Sequence, residues 1–479
     1  MSVNQRHGED VFEGKQNQQL AEGSEIVSFD KHHAFDEDVE RAFDWLISFL
    51  PMSDWTNRKA RIHKFLEEAL RPDTAITQDQ IARLCGKDDA IAWYLYQVHM
   101  TQHEPCSAEP AQASRILPVF KRLGMNLEVV KELHGINAQV ERLLGASRNH
   151  PDQVLFEILI AVVWKLNGWD EVSFIPPSKS QKLPDLKAIR GNDTWHVETK
   201  RMMPHSGYSR KEREKWLKIW ALLKTTLMEG RYPFILDVTF HTEMLALDDS
   251  VLVEKLADKL KLVTFPCHLV SDDTMDVHVS FVDLRKIKRH LEDWSVKMPS
   301  RQLIELIGGR WDRSSSFTHV MKCATRRAGD AGGLNLYVDE IDWAAGAYWH
   351  CDAEKATEAK ARDIRSHLSK AVSQLPDAGP GVIHVGMETY DGEAVEAERF
   401  ERIMRTVTAF DTGGKDLQWI FAHLMECYSP PDKSWVADET VYPFGRGNRE
   451  DSPVPMSSCL VPHEMFDHVH AAHWMRDAP

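Results

Sequence analysis

Long apolar runs are missing from this sequence of 479 residues, and so is any regular cysteine pattern. No stretch reaches the roughly 20 apolar residues that a membrane helix needs, and the N-terminus lacks a signal-peptide pattern. Seven cysteines are scattered without a Cys-x-x-Cys pair, which is typical of reduced thiols and argues against a disulfide framework. These absences predict a soluble, cytoplasmic protein.

An excess of basic residues is also lacking. The formal net charge is -15 and the isoelectric point is about 5.9, so contact with nucleic acid would have to come from a local patch. Residues 200 to 218 hold a basic run that begins at Lys200, and its members from Arg201 onward are our candidates for nucleic-acid binding. They are Arg201, Arg210, Lys211, Arg213, Lys215 and Lys218. The run also contains acids, as a solvated helix face does, and that interpretation remains open.

Residues 183 to 200, LPDLKAIRGNDTWHVETK, predict a β-hairpin that turns at Gly191-Asn192. A two-residue turn there places Asp185 directly opposite Glu198. Directly opposed residues have Cβ atoms about 4.5 to 5.5 Å apart, which is close enough for two carboxylates to share one metal ion. Lys200 lies two residues beyond Glu198 and therefore on the same face.

The opposite face of this hairpin checks the register, because a slip of one residue would exchange the two faces. In this register Leu186 faces Val197 and Ala188 faces Trp195, so one face is wholly apolar. The polar face then carries two acids directly across from each other. Like charges in that position repel unless a cation lies between them.

A third carboxylate precedes the hairpin in an apolar setting. Residues 151 to 168 predict a helix that begins at Pro151 and stops at Asn167-Gly168, and apolar residues surround Glu157 almost completely. A helix that is apolar all round is buried, so this acid needs a partner. The partner is either a lysine or backbone amide in the core, or the same metal cluster as Asp185 and Glu198, which we favour.

Together, Glu157, Pro184-Asp185 and Glu198-x-Lys200 resemble the motifs of the PD-(D/E)xK nuclease superfamily. The resemblance covers residues 151 to about 241 and implies an α/β restriction-endonuclease-like core with the order αβββαβ. Residues 208 to 229 and 234 to 238 supply the closing helix and strand in this interpretation. Residues 354 to 375 and 381 to 385 form a second helix and strand of the same kind, so which pair closes the core stays open.

The resemblance also implies a chemistry. Asp185, Glu198 and the carbonyl of Thr199 are the expected ligands of Mg²⁺, with Mn²⁺ as the alternative ion. Lys200 is the expected catalytic cation and Glu157 an accessory acid. We therefore expect an Mg²⁺-dependent endonuclease that acts on DNA rather than RNA.

The biological setting follows only by analogy, and two alternative functions remain. By analogy, a restriction or phage-defence role fits, in which added domains read the DNA or a partner protein. Double-strand cutting with one site per chain favours a homodimer. The alternatives are a catalytically inactive nuclease-fold protein that binds nucleic acid or a partner, and an interaction protein that uses its helical domain.

Around this core the chain predicts additions at both ends. We expect a disordered N-terminus over residues 1 to 28, an all-helical domain over 29 to 148, the nuclease-like domain over 149 to 390 and a mixed α/β C-terminal extension over 391 to 479. Residues 310 to 333 and 429 to 462 predict irregular structure. A helix-turn-helix over residues 76 to 100, through ITQDQIARLCG, competes with ordinary helix packing. Zinc binding by the C-terminal histidines His463, His468, His470 and His473 competes with a solvated tail.

Overall fold

A computed structural model describes residues 35–69, 88–178, 180–312, 316–327, 334–430, 435–447, 451–456, 458–462 and 472–475. In these parts the chain is mixed α/β, with helices packed on two mixed sheets. None of the helices there combines the length and hydropathy needed to cross a membrane. The expected disordered terminus, the helix-turn-helix candidate up to residue 87 and three of the tail histidines (His463, His468 and His470) lie outside the described residues.

The N-terminal part of the described chain is helical, as its amphipathic pattern predicts. Its helices are α1 (Glu37–Ile47), α2 (Met52–Ala69), α3 (Ala90–His103), α4 (Pro110–Met125), α5 (Leu127–Lys131), α6 (Ile136–Leu144) and α7 (Pro151–Leu166). Side-chain caps define several starts: Asp36 accepts from two backbone amides of α1, and Glu109 does the same for α4. Helix α7 is buried from Val154 to Trp164, so it forms the centre of this part rather than a surface.

The described strands fall into two sheets. In chain order they are β1 (Glu171–Phe174), β2 (Leu186–Arg190), β3 (Asp193–Arg201), β4 (Phe234–Phe240), β5 (Cys267–Ser271), β6 (Met275–Phe281), β7 (Val296–Met298), β8 (Ser316–Arg327), β9 (Leu336–Cys351), β10 (Gly381–Glu388), β11 (Leu417–Tyr428) and β12 (Val436–Gly445). The first sheet has the order β1-β2-β3-β10-β11-β12. The second has the order β5-β6-β4-β9-β7, and β8 pairs with β9.

The later helices cover these sheets. They are α8 (Gly207–Glu229), α9 (Val251–Leu260), α10 (Leu284–Asp293), α11 (Arg301–Gly308), α12 (Glu354–Lys360), α13 (Arg365–Val372) and α14 (Glu393–Ala409). In the second sheet, α8 and α9 pack on one face, whereas α10 and α11 pack on the other. In the first sheet, α7 packs on one face, and α13 and α14 pack on the other. Both sheets are therefore covered on two sides.

The strand expected to close the first sheet belongs elsewhere. Of the two candidates left open, residues 234 to 238 do not close it, because β4 pairs with β6 and β9 in the second sheet. The second candidate is correct: β10 runs parallel to β3, with Ile383 opposite Glu198. Strand β10 is buried along its whole length, as a strand at the centre of a sheet requires. Residues between β3 and β10 thus form an inserted second sheet.

Two further expectations are corrected by the pairing of strands. The expected boundary at residue 390 falls inside the first sheet, because β11 pairs in parallel with β10 and β12 pairs with β11. The two segments expected to be irregular hold β8 and β12 respectively. Each of these strands pairs along an adjacent long strand, and such pairing is not visible in the local composition.

Candidate functional site

The predicted hairpin register is confirmed. Leu186 pairs with Val197, Ala188 with Trp195, and Arg190 with Asp193 across the turn. Gly191 adopts a φ of 56° in that turn, which suits glycine. Asp185 lies just before β2 and opposite Glu198, and its backbone N–H donates to Glu198 Oε2 at 3.2 Å.

Strand β3 continues beyond the start of β2, and side chains replace the missing strand partner there. Asp185 Oδ2 accepts hydrogen bonds from the backbone N–H of Thr199 at 2.9 Å and from its hydroxyl at 2.7 Å. Two residues further along, the backbone N–H of Arg201 donates to Gln153 Oε1 at 3.0 Å. On the edge that faces β2, the segment that carries Glu198 and Lys200 is therefore held by a carboxylate and an amide, whereas its other edge pairs with β10.

Glu157 is only 2 % exposed, as the sequence predicts. It forms an ion pair with Arg142 of α6, and Gln153 Nε2 donates to its Oε1 at 3.0 Å. Burial and the nearby Asp185 carboxylate raise the pKa of Glu157 to about 7, although Arg142 opposes the shift. The partner in the core is thus an arginine, and the link to the hairpin runs through Gln153, whose Nε2 also donates to Thr199 Oγ1 at 3.2 Å.

Glu198 is fully buried and contacts the lysine beside it. Burial and the Asp185 carboxylate raise its pKa to about 8, and the ion pair with Lys200 opposes that shift. Lys200 Nζ also donates to Gln374 Oε1 at 2.8 Å, and Gln374 Nε2 donates to the Leu183 carbonyl at 3.2 Å. Gln374 therefore joins the lysine to the turn that precedes Asp185.

Two glutamines are the site residues that sequence reasoning missed. Gln153 lies one helical turn before Glu157 on α7, so the spacing of four residues was a signal that could have found it. Gln374 follows α13 and carries no comparable signal. Its place beside Lys200 depends on β10 being the neighbour of β3.

The donors available for a metal ion are all oxygens. Burial, and then the Asp185 carboxylate, raises the pKa of both Glu157 and Glu198, so Asp185 is close enough to act on both acids. Among the described residues, no three His, Cys, Asp or Glu side chains are placed to share one ion. Asp185, Glu198 and the backbone oxygen of Thr199 stay our predicted ligands for a hard cation, whereas Glu157 is engaged by Arg142.

The basic run of residues 201 to 218 separates into two groups. Arg201 forms an ion pair with Glu388, which Arg115 also contacts, and Lys215 forms one with Asp249 at 2.5 Å. Arg213 is half-buried, and burial lowers its pKa. The exposed members are Arg210, Lys211 and Lys218 on α8. Binding of nucleic acid by the run stays a prediction, and these three are its accessible part.

The tail histidine that the structure describes is neither solvated nor placed for zinc. His473 is fully buried, and its ring nitrogens lie 2.8 Å from the hydroxyls of Thr389 and Thr440. Comparison of the chain with family models, with curated proteins and with solved structures finds no match.

Proposed function

We propose that this protein is a metal-dependent nuclease of the PD-(D/E)xK type that hydrolyses phosphodiester bonds in DNA. The observation that carries the proposal is the hairpin register, which brings Asp185, Glu198 and Lys200 together at one end of the first sheet. The order of α7, β1, β2, β3, α13 and β10 supports a restriction-endonuclease-like core, since it is the αβββαβ order of that fold. A role in restriction or phage defence is the setting we propose, by analogy alone.

Hydrolysis forms a P–O bond to water and breaks the P–O bond to the leaving oxygen, so negative charge must be accommodated on both sides. A bound Mg²⁺ would supply an activated water and polarise the phosphate. Asp185 and Glu198 would hold it, with the Thr199 carbonyl as a third oxygen. Lys200 places a cation beside them, and Gln374 fixes that cation through its amide oxygen. Glu157 acts indirectly, because Gln153 connects it to Thr199.

Cleavage assays on purified variants test this assignment. Supercoiled plasmid, single-stranded DNA and single-stranded RNA are incubated with Mg²⁺ or Mn²⁺, and cleavage is compared for wild type, Asp185→Asn and Lys200→Ala. We expect either substitution to lower the rate by a factor of about 100 or more, because each removes charge stabilisation of the transition state. Asp258→Asn and Lys261→Ala are matched controls, since this exposed pair lies at the end of α9.

The outcomes separate the rival functions. Equal cleavage by wild type and both site variants would remove these residues from the mechanism. Binding of DNA without cleavage in either metal would favour the inactive nuclease-fold alternative. Preferential cleavage of RNA would keep the site and change the substrate.

A further inference from the structure

Helix α13 turns a face without acids toward solvent. Its buried side carries Leu368, Ala371 and Val372, which pack in the same core as the β10 residues Ile383 and Val385. Its exposed side carries a different set, composed only of cations and hydroxyls. These residues are Arg365, Ser366, Ser369 and Lys370. Such groups are the usual donors to phosphate oxygens in protein–DNA contacts.

This exposed side lies next to the proposed catalytic lysine. Gln374, two residues beyond α13, accepts from Lys200 Nζ at 2.8 Å and donates to the Leu183 carbonyl at 3.2 Å. Lys182, in the loop that leads to Asp185, donates to Ser373 Oγ at 3.3 Å. The loop and the end of the helix are therefore joined by two hydrogen bonds.

Positive charge accumulates at this junction. His367 of α13 is half-buried, and its pKa is lowered by burial and then by the charges of Lys370, Lys200 and Arg362. In the part of the chain that the structure describes, Lys182, Arg365 and Lys370 form no ion pair with a carboxylate. On α8, in contrast, Lys215 is paired with Asp249. Unpaired cations close together repel one another, and a bound polyanion offsets that repulsion.

We propose that Lys182, Arg365, Ser366, Ser369 and Lys370, here called the α13 rim, bind the phosphate backbone of DNA next to the cleavage site. This inference rests on the proposed nuclease function, and it names a binding surface distinct from the basic run on α8. The chain as a whole is acidic, so a local surface of this kind is where a polyanion can approach. Gln374 follows α13 and contacts Lys200, so a strand held by the rim would pass close to the proposed catalytic lysine.

Fluorescence anisotropy with a labelled duplex and its single strand tests the rim in EDTA, where metal-dependent cleavage is suppressed. The rim variant combines Lys182→Gln, Arg365→Gln and Lys370→Gln. The matched control combines Arg285→Gln, Lys286→Gln and Lys288→Gln, which removes the same charge from exposed positions on α10. We expect the rim variant to bind at least about tenfold more weakly, and its log–log salt slope to fall by about 2 to 3, because each lost phosphate contact removes about 0.9. The control should bind within about twofold of wild type, since it loses charge but no phosphate contact.

A third variant compares the two candidate surfaces: Arg210→Gln, Lys211→Gln and Lys218→Gln on α8. Loss of binding in this variant but not in the rim variant would overturn the rim, as would equal loss in the rim variant and the α10 control. Failure of the wild type to bind either DNA would also overturn it. If the rim variant loses binding while the wild type cleaves nothing in Mg²⁺ or Mn²⁺, the rim stands and the nuclease function fails. If cleavage requires Asp185 but the rim variant binds as the wild type does, the nuclease function stands and the rim fails.

Discussion

At the scale of single residues, Gln153 connects several parts of the site through three side-chain hydrogen bonds. Its amide oxygen accepts from the Arg201 backbone, and its amide nitrogen donates to both Glu157 and Thr199. The Thr199 hydroxyl then donates to Asp185. One side chain therefore connects the buried acid of α7 to the carboxylate before β2. Because it contacts Thr199 through the hydroxyl and none of the proposed ligand oxygens, it is a positioning residue.

Replacing Gln153 by leucine keeps the volume and removes all three hydrogen bonds. We expect the free energy of unfolding to fall by about 1 to 3 kcal/mol, because the Arg201 N–H is left without a partner. We also expect kcat for DNA cleavage to fall about tenfold with KM nearly unchanged, because Asp185 and Thr199 lose their fixed geometry while the substrate surface is intact. Steady-state kinetics and urea denaturation measure the two effects, with exposed Gln181→Leu as the control. An unchanged kcat in the folded variant would remove Gln153 from the site.

At the scale of elements, local sequence patterns predicted the hairpin, which depends on neighbouring residues. They did not fix the pairing of strands that are distant in the chain. The turn at Gly191-Asn192 and the alternation of Leu186, Ala188, Trp195 and Val197 were enough to set the hairpin register. The partner of β3 was not predictable in this way, since β10 lies about 180 residues further along the chain and parallel pairing needs no turn signal. The predicted position of Lys200 beside Glu198 is confirmed. Its contact Gln374 could not be predicted, because Gln374 lies between α13 and β10, far along the chain.

A buried row of polar side chains crosses three strands of the first sheet. Trp164 Nε1 donates to His384 Nε2 at 3.1 Å, the facing nitrogens of His384 and His423 are 2.9 Å apart, and His423 Nδ1 lies 2.8 Å from Glu439 Oε1. The backbone amides of Leu460 and Val461 donate to the other oxygen of Glu439. This pattern requires a neutral His384, because its Nε2 must accept.

Stability should therefore fall in mild acid. Burial and then His423 lower the pKa of His384 well below 6.5, so the unfolded chain takes up a proton at a pH where the folded chain does not. The stabilising contribution is complete above about pH 6.5 and is lost as the pH falls, by up to about 1.4 kcal/mol per pH unit for this residue. Urea denaturation at several pH values should show a shallower dependence for His384→Phe than for wild type or for the exposed control His350→Phe. Parallel curves for all three proteins would contradict this.

At the scale of the whole molecule, the raised pKa values of Glu157 and Glu198 make stability depend on pH, and they would couple stability to the proposed metal binding. An acid whose pKa is raised on folding stabilises the protein below its unfolded pKa, and that contribution is lost as the pH rises through the folded value. The folded values here are about 7 and about 8. Without metal, these two acids therefore disfavour folding progressively between about pH 4.5 and pH 8. A divalent cation held by Asp185 and Glu198, as proposed, would oppose this effect at Glu198, because it needs that carboxylate ionised.

Added Mg²⁺ should consequently raise the melting temperature more at about pH 8.5 than at about pH 6.5, because protons compete with the metal for Glu198 at the lower pH. Differential scanning fluorimetry with and without Mg²⁺ measures the shift without reference to cleavage. Asp185→Asn should abolish the Mg²⁺ shift, because it removes one ligand. The same substitution should stabilise the metal-free protein at alkaline pH, because it removes the charge that raises both pKa values. A Mg²⁺ shift that is equal in wild type and Asp185→Asn would place the metal elsewhere in the molecule, whereas Asp258→Asn should retain the full wild-type response.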